Sequence, residues 1–293
     1  VNATDPQARF AEHRELLFGI VYGMLGTVAD TEDVLQDVWL AWEARSHGAP
    51  IEHPRAYLVR VAINAAIARQ KAIERRRETY IGPWLPEPVM TETVADAAEP
   101  ALRAESVSLA LMVLLESLTP AERAVFVLAE VFGYTHGEIA ELIDRTPASV
   151  RQIAHRAKSH IQARRPKYEV DPAVHRRVTE RFMDAVSGGD IDELLGLMSP
   201  EVVLTCDGGG LGPAAGPRPM HDAERIAALL VSRRFRRHEG LEVEFRPVNG
   251  SPAALMIRDG RVVGVLMLDL TPAGDQVTAV YAVTNPEKLT TLH

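Results

Sequence analysis

The sequence predicts a multidomain chain: two all-α domains, the second carrying a helix-turn-helix, followed by an α+β domain with a curved antiparallel sheet. Three observations predict it. Helical periodicity runs from residue 6 to about 80 and returns from about 101 to 166. A Gly/Pro-rich break lies between the two stretches. After Pro166, two helical segments give way to four strand-like runs, the pattern of an α+β domain. A length of 293 residues has room for two or three cores. The implied bounds are 1–82, a linker at 83–100, 101–166 and 171–293.

In the first domain, Asp30 is the candidate N-cap of a helix through Trp42, and acidic residues fill its first turn, where the helix dipole favours them. Val34, Leu35, Val38, Trp39 and Trp42 form its apolar stripe. Glu32, Asp33, Gln36 and Asp37 are left as an acidic face open to a basic partner. Pro54 opens a long helix with a stripe of Tyr57, Leu58, Val61, Ala65 and Ala68. Asn64 falls on that stripe, either as a satisfied core amide or as part of a contact surface. Gly82-Pro-Trp-Leu-Pro-Glu-Pro88 cannot continue a helix. It reads as a stiff extended linker in which Trp84 and Leu85 dock on another surface.

The second domain resumes near Ala101, and Thr119-Pro-Ala-Glu122 is a capping box that opens a further helix. Thr135–Lys158 reads as two short helices and a tight turn. Thr135 and Glu138 cap the first helix; Thr146 caps the second, with Pro147 at its first position. With Val150 at the centre of the buried side, Ile153, Ala154, Ala157 and Ile161 join it. Ala148, Gln152, His155 and Ser159 then point outward, flanked by Ser149, Arg151 and Arg156. That face offers hydrogen-bonding groups for base edges and cations for phosphates. A solvated polar face on an ordinary helical hairpin is the plainer reading.

Beyond Pro166, helices are expected at 172–187 and 222–238, with a Gly/Pro-rich stretch at 207–219 between them. Strands are expected at Leu241–Val248, Ala253–Arg258, Val262–Leu270 and Val277–Val283, with a hairpin turn at Asp259-Gly260.

The formal net charge is −8, unusual for a chain that touches DNA, because phosphate neutralisation supplies much of such affinity. The basic residues are clustered, however, at Arg69–Arg77 and at Arg145–Lys167, which implies weak DNA binding that needs a partner. One cysteine, Cys206, excludes an intramolecular disulfide framework and a cysteine-cluster zinc site, and the ten histidines show no metal-ligand spacing. Neither a cofactor motif, a signal peptide nor a membrane-length apolar run is visible, so a reducing cytoplasm is expected.

Three groups of residues resemble the extracytoplasmic-function (ECF) sigma factors. Asp30–Val38 is similar to the region-two helix that grips the clamp coiled coil of RNA polymerase. His53-Pro-Arg-Ala-Tyr-Leu-Val-Arg-Val-Ala-Ile-Asn64 resembles the segment that opens and reads the −10 element, and Thr135–Lys158 the region-four helix-turn-helix that reads the −35 element. The remainder resembles the SnoaL-like cone fused to the SigJ-like group of these factors. Trp84-Leu-Pro-Glu-Pro88, Asp207-Gly-Gly-Gly210 and Asn285-Pro-Glu-Lys-Leu289 are three further marks of that group. Ile63 and Ala68 depart from the usual pattern, which bears on promoter preference rather than on class.

The resemblance implies core RNA polymerase (clamp coiled coil and flap) and promoter DNA as partners. It implies polymerase binding by Glu32, Asp33, Gln36 and Asp37, −10 contacts by Arg55, Tyr57, Arg60 and Asn64, and −35 contacts by Ser149, Arg151, Gln152, His155 and Arg156. On the same grounds, the C-terminal domain is expected to regulate in cis. Its contacts would run through Trp84, Leu85, Asp207, Gly208, Gly209, Gly210, Asn285, Pro286, Lys288 and Leu289.

Two other classes stand beside this one. A SnoaL-like pocket can hold a small ligand or act as a cyclase or isomerase, with Asp207, His221 or Asp269 as acid–base candidates, although no paired spacing supports that chemistry. A polymerase-independent repressor would use the helix-turn-helix alone and would leave the first domain without a role.

Overall fold

The structure, a computed structural model, describes residues 6–46, 51–91, 108–164, 170–213, 215–232 and 241–292; of Ser46 and Arg164 only the backbone is described. These residues fall into two compact units. One comprises residues 6–78 and 111–164; the other comprises 79–91, 108–110 and 170–292.

The first unit is all helical. α1 (Pro6–Leu25), α2 (Val28–Ser46) and α3 (Pro54–Arg77) pack on one another. α4 (Leu109–Leu115) leads to α5 (Pro120–Phe126), which runs on as a π-helical turn (Val127–Val131), and then to α6 (His136–Leu142) and α7 (Pro147–Arg164). Both capping boxes form: Thr119 with Glu122, and Thr135 with Glu138. A single apolar cluster joins all of this, from Leu17 and Ile20 through Leu58 and Ile63 to Val127, Leu128, Ile139 and Val150. Each such fully buried side chain contributes roughly 1.5–3 kcal/mol by leaving water.

Two expectations need correction here. α2 starts at Val28, not after Asp30, so Asp30 lies in its first turn. There Asp30 is buried and accepts from Thr27 Oγ1 (2.7 Å), Arg69 Nε (2.9 Å) and Arg76 Nη2 (2.6 Å). The buried face of α3 is Leu58, Val59, Ala62, Ile63, Ala66 and Ile73. Tyr57, Val61 and Ala65 are only half-buried at its margin, and Ala68 is exposed. α3 packs against α1, α2, α5 and α6 at once, and that wrap selects a different face from the one its sequence suggests.

In the second unit, α8 (Pro172–Gly188), α9 (Ile191–Leu197) and α10 (Ala223–Leu230) accompany a six-stranded open sheet of order β2-β1-β6-β5-β4-β3. Its strands are β1 (Met198–Asp207), β2 (Met220–His221), β3 (Glu242–Val248), β4 (Ser251–Arg258), β5 (Arg261–Leu270) and β6 (Val277–Val283). The four expected strands are present, and Asp259-Gly260 turns with φ of 51° and 72°. The sheet is mixed rather than purely antiparallel, because β1 lies parallel to β6. The core lies between the helices and one sheet face, centred on Phe182, Leu194, Leu204, Ile226, Leu266 and Val280. Among the described residues, no helix is long and apolar enough to cross a membrane.

Candidate nucleic-acid interfaces and the linker clasp

The helix-turn-helix is built as its sequence implies. Thr146 Oγ1 accepts the Ser149 N–H at 3.2 Å, capping α7. Val150, Ile153, Ala157 and Ile161 are buried, while Arg151, Gln152, His155 and Arg156 are exposed and line one shallow groove with Ala148. Ser149 is half-buried at the cap. Two cations near this face already have partners: Arg156 Nε sits 3.5 Å from Glu122, and Lys158 binds Glu130 at 3.0 Å. Hydrogen bonds from Thr119 hold Glu122 below the usual carboxylate range, with Arg156 assisting. Of the wider basic run, the Arg164 side chain, Arg165 and Lys167 lie outside the described residues.

On α3, Arg55, Arg60 and Asn64 are exposed and Tyr57 is half-buried. Asn64 is not a core amide; its Nδ2 donates to Arg60 O of the preceding turn at 2.9 Å. Arg55, Tyr57 and Arg60 share a cleft of ≈ 920 Å³ with Phe132, Tyr134 and Leu142 from the helix-turn-helix side, whereas Asn64 lies outside it. The Arg55 guanidinium stands 5.8 Å from the Tyr134 ring centroid, within cation–π range.

On α2, Gln36 and Asp37 point to solvent. The two other acidic candidates are tethered: Arg14 Nη2 reaches both oxygens of Glu32 at 2.7 Å, and Arg69 Nη2 pairs with Asp33.

The second unit holds the most complete polar site. The linker Thr79–Thr91 belongs to this unit rather than standing apart as a spacer. Leu85 is fully buried, and Trp84 is half-buried. Asp207, at the end of β1 and 0% exposed, accepts the Leu85 N–H at 2.8 Å and the Tyr80 O–H at 2.5 Å. It also accepts the Gly209 N–H at 3.2 Å and Lys288 Nζ at 2.7 Å. Lys288 Nζ donates in addition to Leu85 O at 2.6 Å and stands 3.2 Å from the Trp84 ring centroid. Asn285 Nδ2 donates to Tyr80 Oη at 2.8 Å and its Oδ1 caps the short 3₁₀ turn Pro286–Lys288. Burial, followed by the Asp207 carboxylate, pushes the Tyr80 phenol up.

Gly208–Gly210 permit this approach. A Cβ on Gly209 (φ 58°) would lie 2.3 Å from Asn285 Nδ2. Leu289 is buried beside the turn, and Pro286 opens it. The linker has a second handhold at the β3–β4 hairpin. Thr91 N–H donates to Pro247 O (3.0 Å), Asn249 N–H to Val89 O (2.9 Å) and Gly250 N–H to Thr91 Oγ1 (3.0 Å).

Sequence reasoning missed Tyr80 and Asn249. Asn249-Gly250 is a hairpin signature that pointed to the second of these. Tyr80 carries no local signal, since its partners Asp207 and Asn285 lie far away along the chain.

As acid–base candidates, the three residues do not converge. Asp207 is engaged by four donors, and His221 is exposed on β2. Asp269 is half-buried on β5, three strand spacings from β2, or about 14 Å. Among the described residues, no cluster of His, Cys, Asp and Glu could hold a metal ion.

Comparison with known proteins agrees with this geometry. Residues 9–77 match Sigma-70 region 2, and residues 108–161 match Sigma-70, region 4. The chain is 34% identical over 294 residues to the ECF RNA polymerase sigma factor SigJ of Mycobacterium tuberculosis, covering 97% of this chain and 93% of that one. It is 32% identical over 288 residues to a probable ECF RNA polymerase sigma factor, SigI, of the same organism, covering 97% and 95%. The crystal structure of Mycobacterium tuberculosis extracytoplasmic function sigma factor SigJ superposes with a TM-score of 0.74 at 31% identity, covering 97% of this chain and 98% of that one. The helical unit with its two sigma regions, and a likeness running through the sheet unit, therefore have one explanation: the chain belongs to the ECF RNA polymerase sigma factors, which direct promoter-specific initiation of transcription.

Proposed function

We propose that this sigma factor docks on core polymerase through α2, with Glu32, Asp33, Gln36 and Asp37 facing the clamp coiled coil and region four meeting the flap. Arg55, Tyr57, Arg60 and Asn64 then take the −10 strand, whose unpaired bases call for exposed polar groups and a stacking ring. Arg151, Gln152 and His155 read −35 base edges, with Ser149 and Arg156 on phosphates. The exposure of Asp33, Gln36, Asp37, Arg55, Arg60, Asn64, Arg151, Gln152, His155 and Arg156 supports the assignment, while Glu32, Tyr57 and Ser149 are half-buried. Functional domains of 1–82, 101–166 and 171–293 remain the working division, and core polymerase places the action in the cytoplasm.

The C-terminal domain regulates in cis by holding the linker. The observation that carries this is the Asp207–Lys288 pair closed over the Leu85 peptide. A chain segment seated in one domain is not free to follow a path through polymerase between the two DNA-reading domains. The test is run-off transcription with purified bacterial core polymerase on candidate promoters. The full chain, a chain ending at residue 166, and Lys288→Met should all start at the same sites with different efficiency. No initiation by any of the three, and no association with core, would refute the proposal.

A second reading, a small ligand within the sheet unit, is compatible with the first. Turnover of a carbonyl-containing metabolite that Asp207→Asn abolishes would instead favour an enzyme.

A further inference from the structure

The first unit gathers a cluster of charge that neither the promoter-reading faces nor the polymerase-facing helix uses, with Arg123 buried and the side chains of Arg77 and Glu116 20% and 19% exposed. Arg123 on α5 is 1% exposed. Its Nε donates to Leu115 O at 2.9 Å, and its Nη1 crosses to region two to donate to Met24 O, at the end of α1, at 2.6 Å. Its Nη2 lies 2.9 Å from Glu116 Oε1 without being aligned for a hydrogen bond. The same carboxylate is shared with Arg77 at the end of α3, whose Nη2 donates to Oε1 at 3.2 Å. Two guanidinium groups, one from each sigma region, thus converge on one carboxylate. Burial, followed by the Arg123 charge, pushes Arg77 down to about 9, and burial does the same to Arg123. Both remain charged at neutral pH, and Glu74 adds a favourable electrostatic interaction to each.

Promoter geometry requires this seam to open. The −10 and −35 elements are separated by about 25 base-pair steps, or about 85 Å of duplex. The helices assigned to them, α3 and α7, share one apolar core, and an 18-residue helix such as α7 spans only about 27 Å. In the closed form, Tyr134 lies against Arg55, and Phe132 and Leu142 wall the cleft that holds Tyr57 and Arg60.

We propose that Arg77, Glu116 and Arg123 form a latch that holds region four over the −10 surface and is built to release. A buried ion cluster specifies the contact yet stabilises it less than apolar side chains of similar volume do. The seam is consequently held in register without being made permanent. This inference rests on the proposed assignment of the −10 and −35 faces.

The test uses the full chain with Cys206→Ala and spin labels at Glu15→Cys on α1 and Gln162→Cys on α7, both exposed positions. The parent should give one narrow distance. Glu116→Ala, which removes the carboxylate that the two guanidinium groups share, should add a longer, broad population. Replacing all three residues by Met should keep the short distance and slow promoter-complex formation with core polymerase by about tenfold. An unchanged distance in well-folded Glu116→Ala overturns the latch. So does a triple variant that opens, or one that forms promoter complexes as fast as the parent. Should Glu116→Ala not fold, the triple variant decides. If the base-reading assignment is wrong, Arg60→Ala and Asn64→Ala will leave promoter choice intact while the distance results stand.

Discussion

Asp207→Ala should free the linker from the sheet unit, and the size of the effect follows from the partners that the carboxylate holds. That carboxylate is 0% exposed and its partner Lys288 is 5% exposed. Without Asp207, the ammonium group loses its paired carboxylate while Leu85 O and the Trp84 and Tyr80 rings stay beside it, and the buried Leu85 N–H is left without its acceptor. Breaking a buried pair in this way costs about 3–5 kcal/mol. At about 1.4 kcal/mol per factor of ten, the lower end is a rise of roughly 150-fold in local opening. Hydrogen–deuterium exchange of peptides covering residues 79–91 reads this directly, with β4–β5 peptides as the internal control. Lys288→Met should have a similar effect, and the double variant should cost less than the sum by about 1 kcal/mol or more, because the two residues act as a pair. Strictly additive effects, or unchanged exchange in 79–91, would refute the clasp.

Three further outcomes are expected. Arg151→Ala should weaken binding to a cognate −35 element by about 1–3 kcal/mol and relax specificity there, whereas equal loss on scrambled −35 sequences in a binding titration would contradict base reading. Thr135→Ala removes the cap that accepts the Glu138 N–H, lowering stability by about 1 kcal/mol in denaturant unfolding of the helical unit. Burial alone would raise the Asp30 carboxyl, but hydrogen bonds from Thr27, Arg76 and Arg69 outweigh it and hold the group below its ordinary value of 3.8. A carboxyl depressed in the folded state stabilises above its unfolded value, and that contribution is lost as pH falls through the folded one. Thermal melts should therefore show acid destabilisation below about pH 3.8, blunted in Asp30→Asn.

The helix-turn-helix is legible because every signal that makes it is local. Caps act over three residues and the Val150–Ile161 stripe over three turns, so the sequence alone carries both. The Asp30 cap is misplaced by sequence reasoning although the Thr27-x-x-Asp30 spacing is visible, because the acidic first turn outweighs it. On α3 the periodicity is real, but four packing partners choose the face. β1 is hidden because it carries Pro200 and Glu201 and two adjacent buried pairs, and because it pairs in parallel with β6, nearly eighty residues away.

The linker motif and the two C-terminal motifs are each visible as short strings, and the resemblance they carry assigns them to regulation. Which atoms meet is a matter of tertiary structure. Asp207 and Lys288 are 81 residues apart and Tyr80 and Asn285 are 205 apart, and no propensity or spacing encodes such a pairing. The same holds for Arg77, Glu116 and Arg123, which helix packing brings together with Arg123 buried and the other two largely covered. Local sequence determined the elements and the class of this protein, because capping and periodicity are short-range. The clasp and the latch were decided by the fold, because burying a charge is a property of what surrounds it.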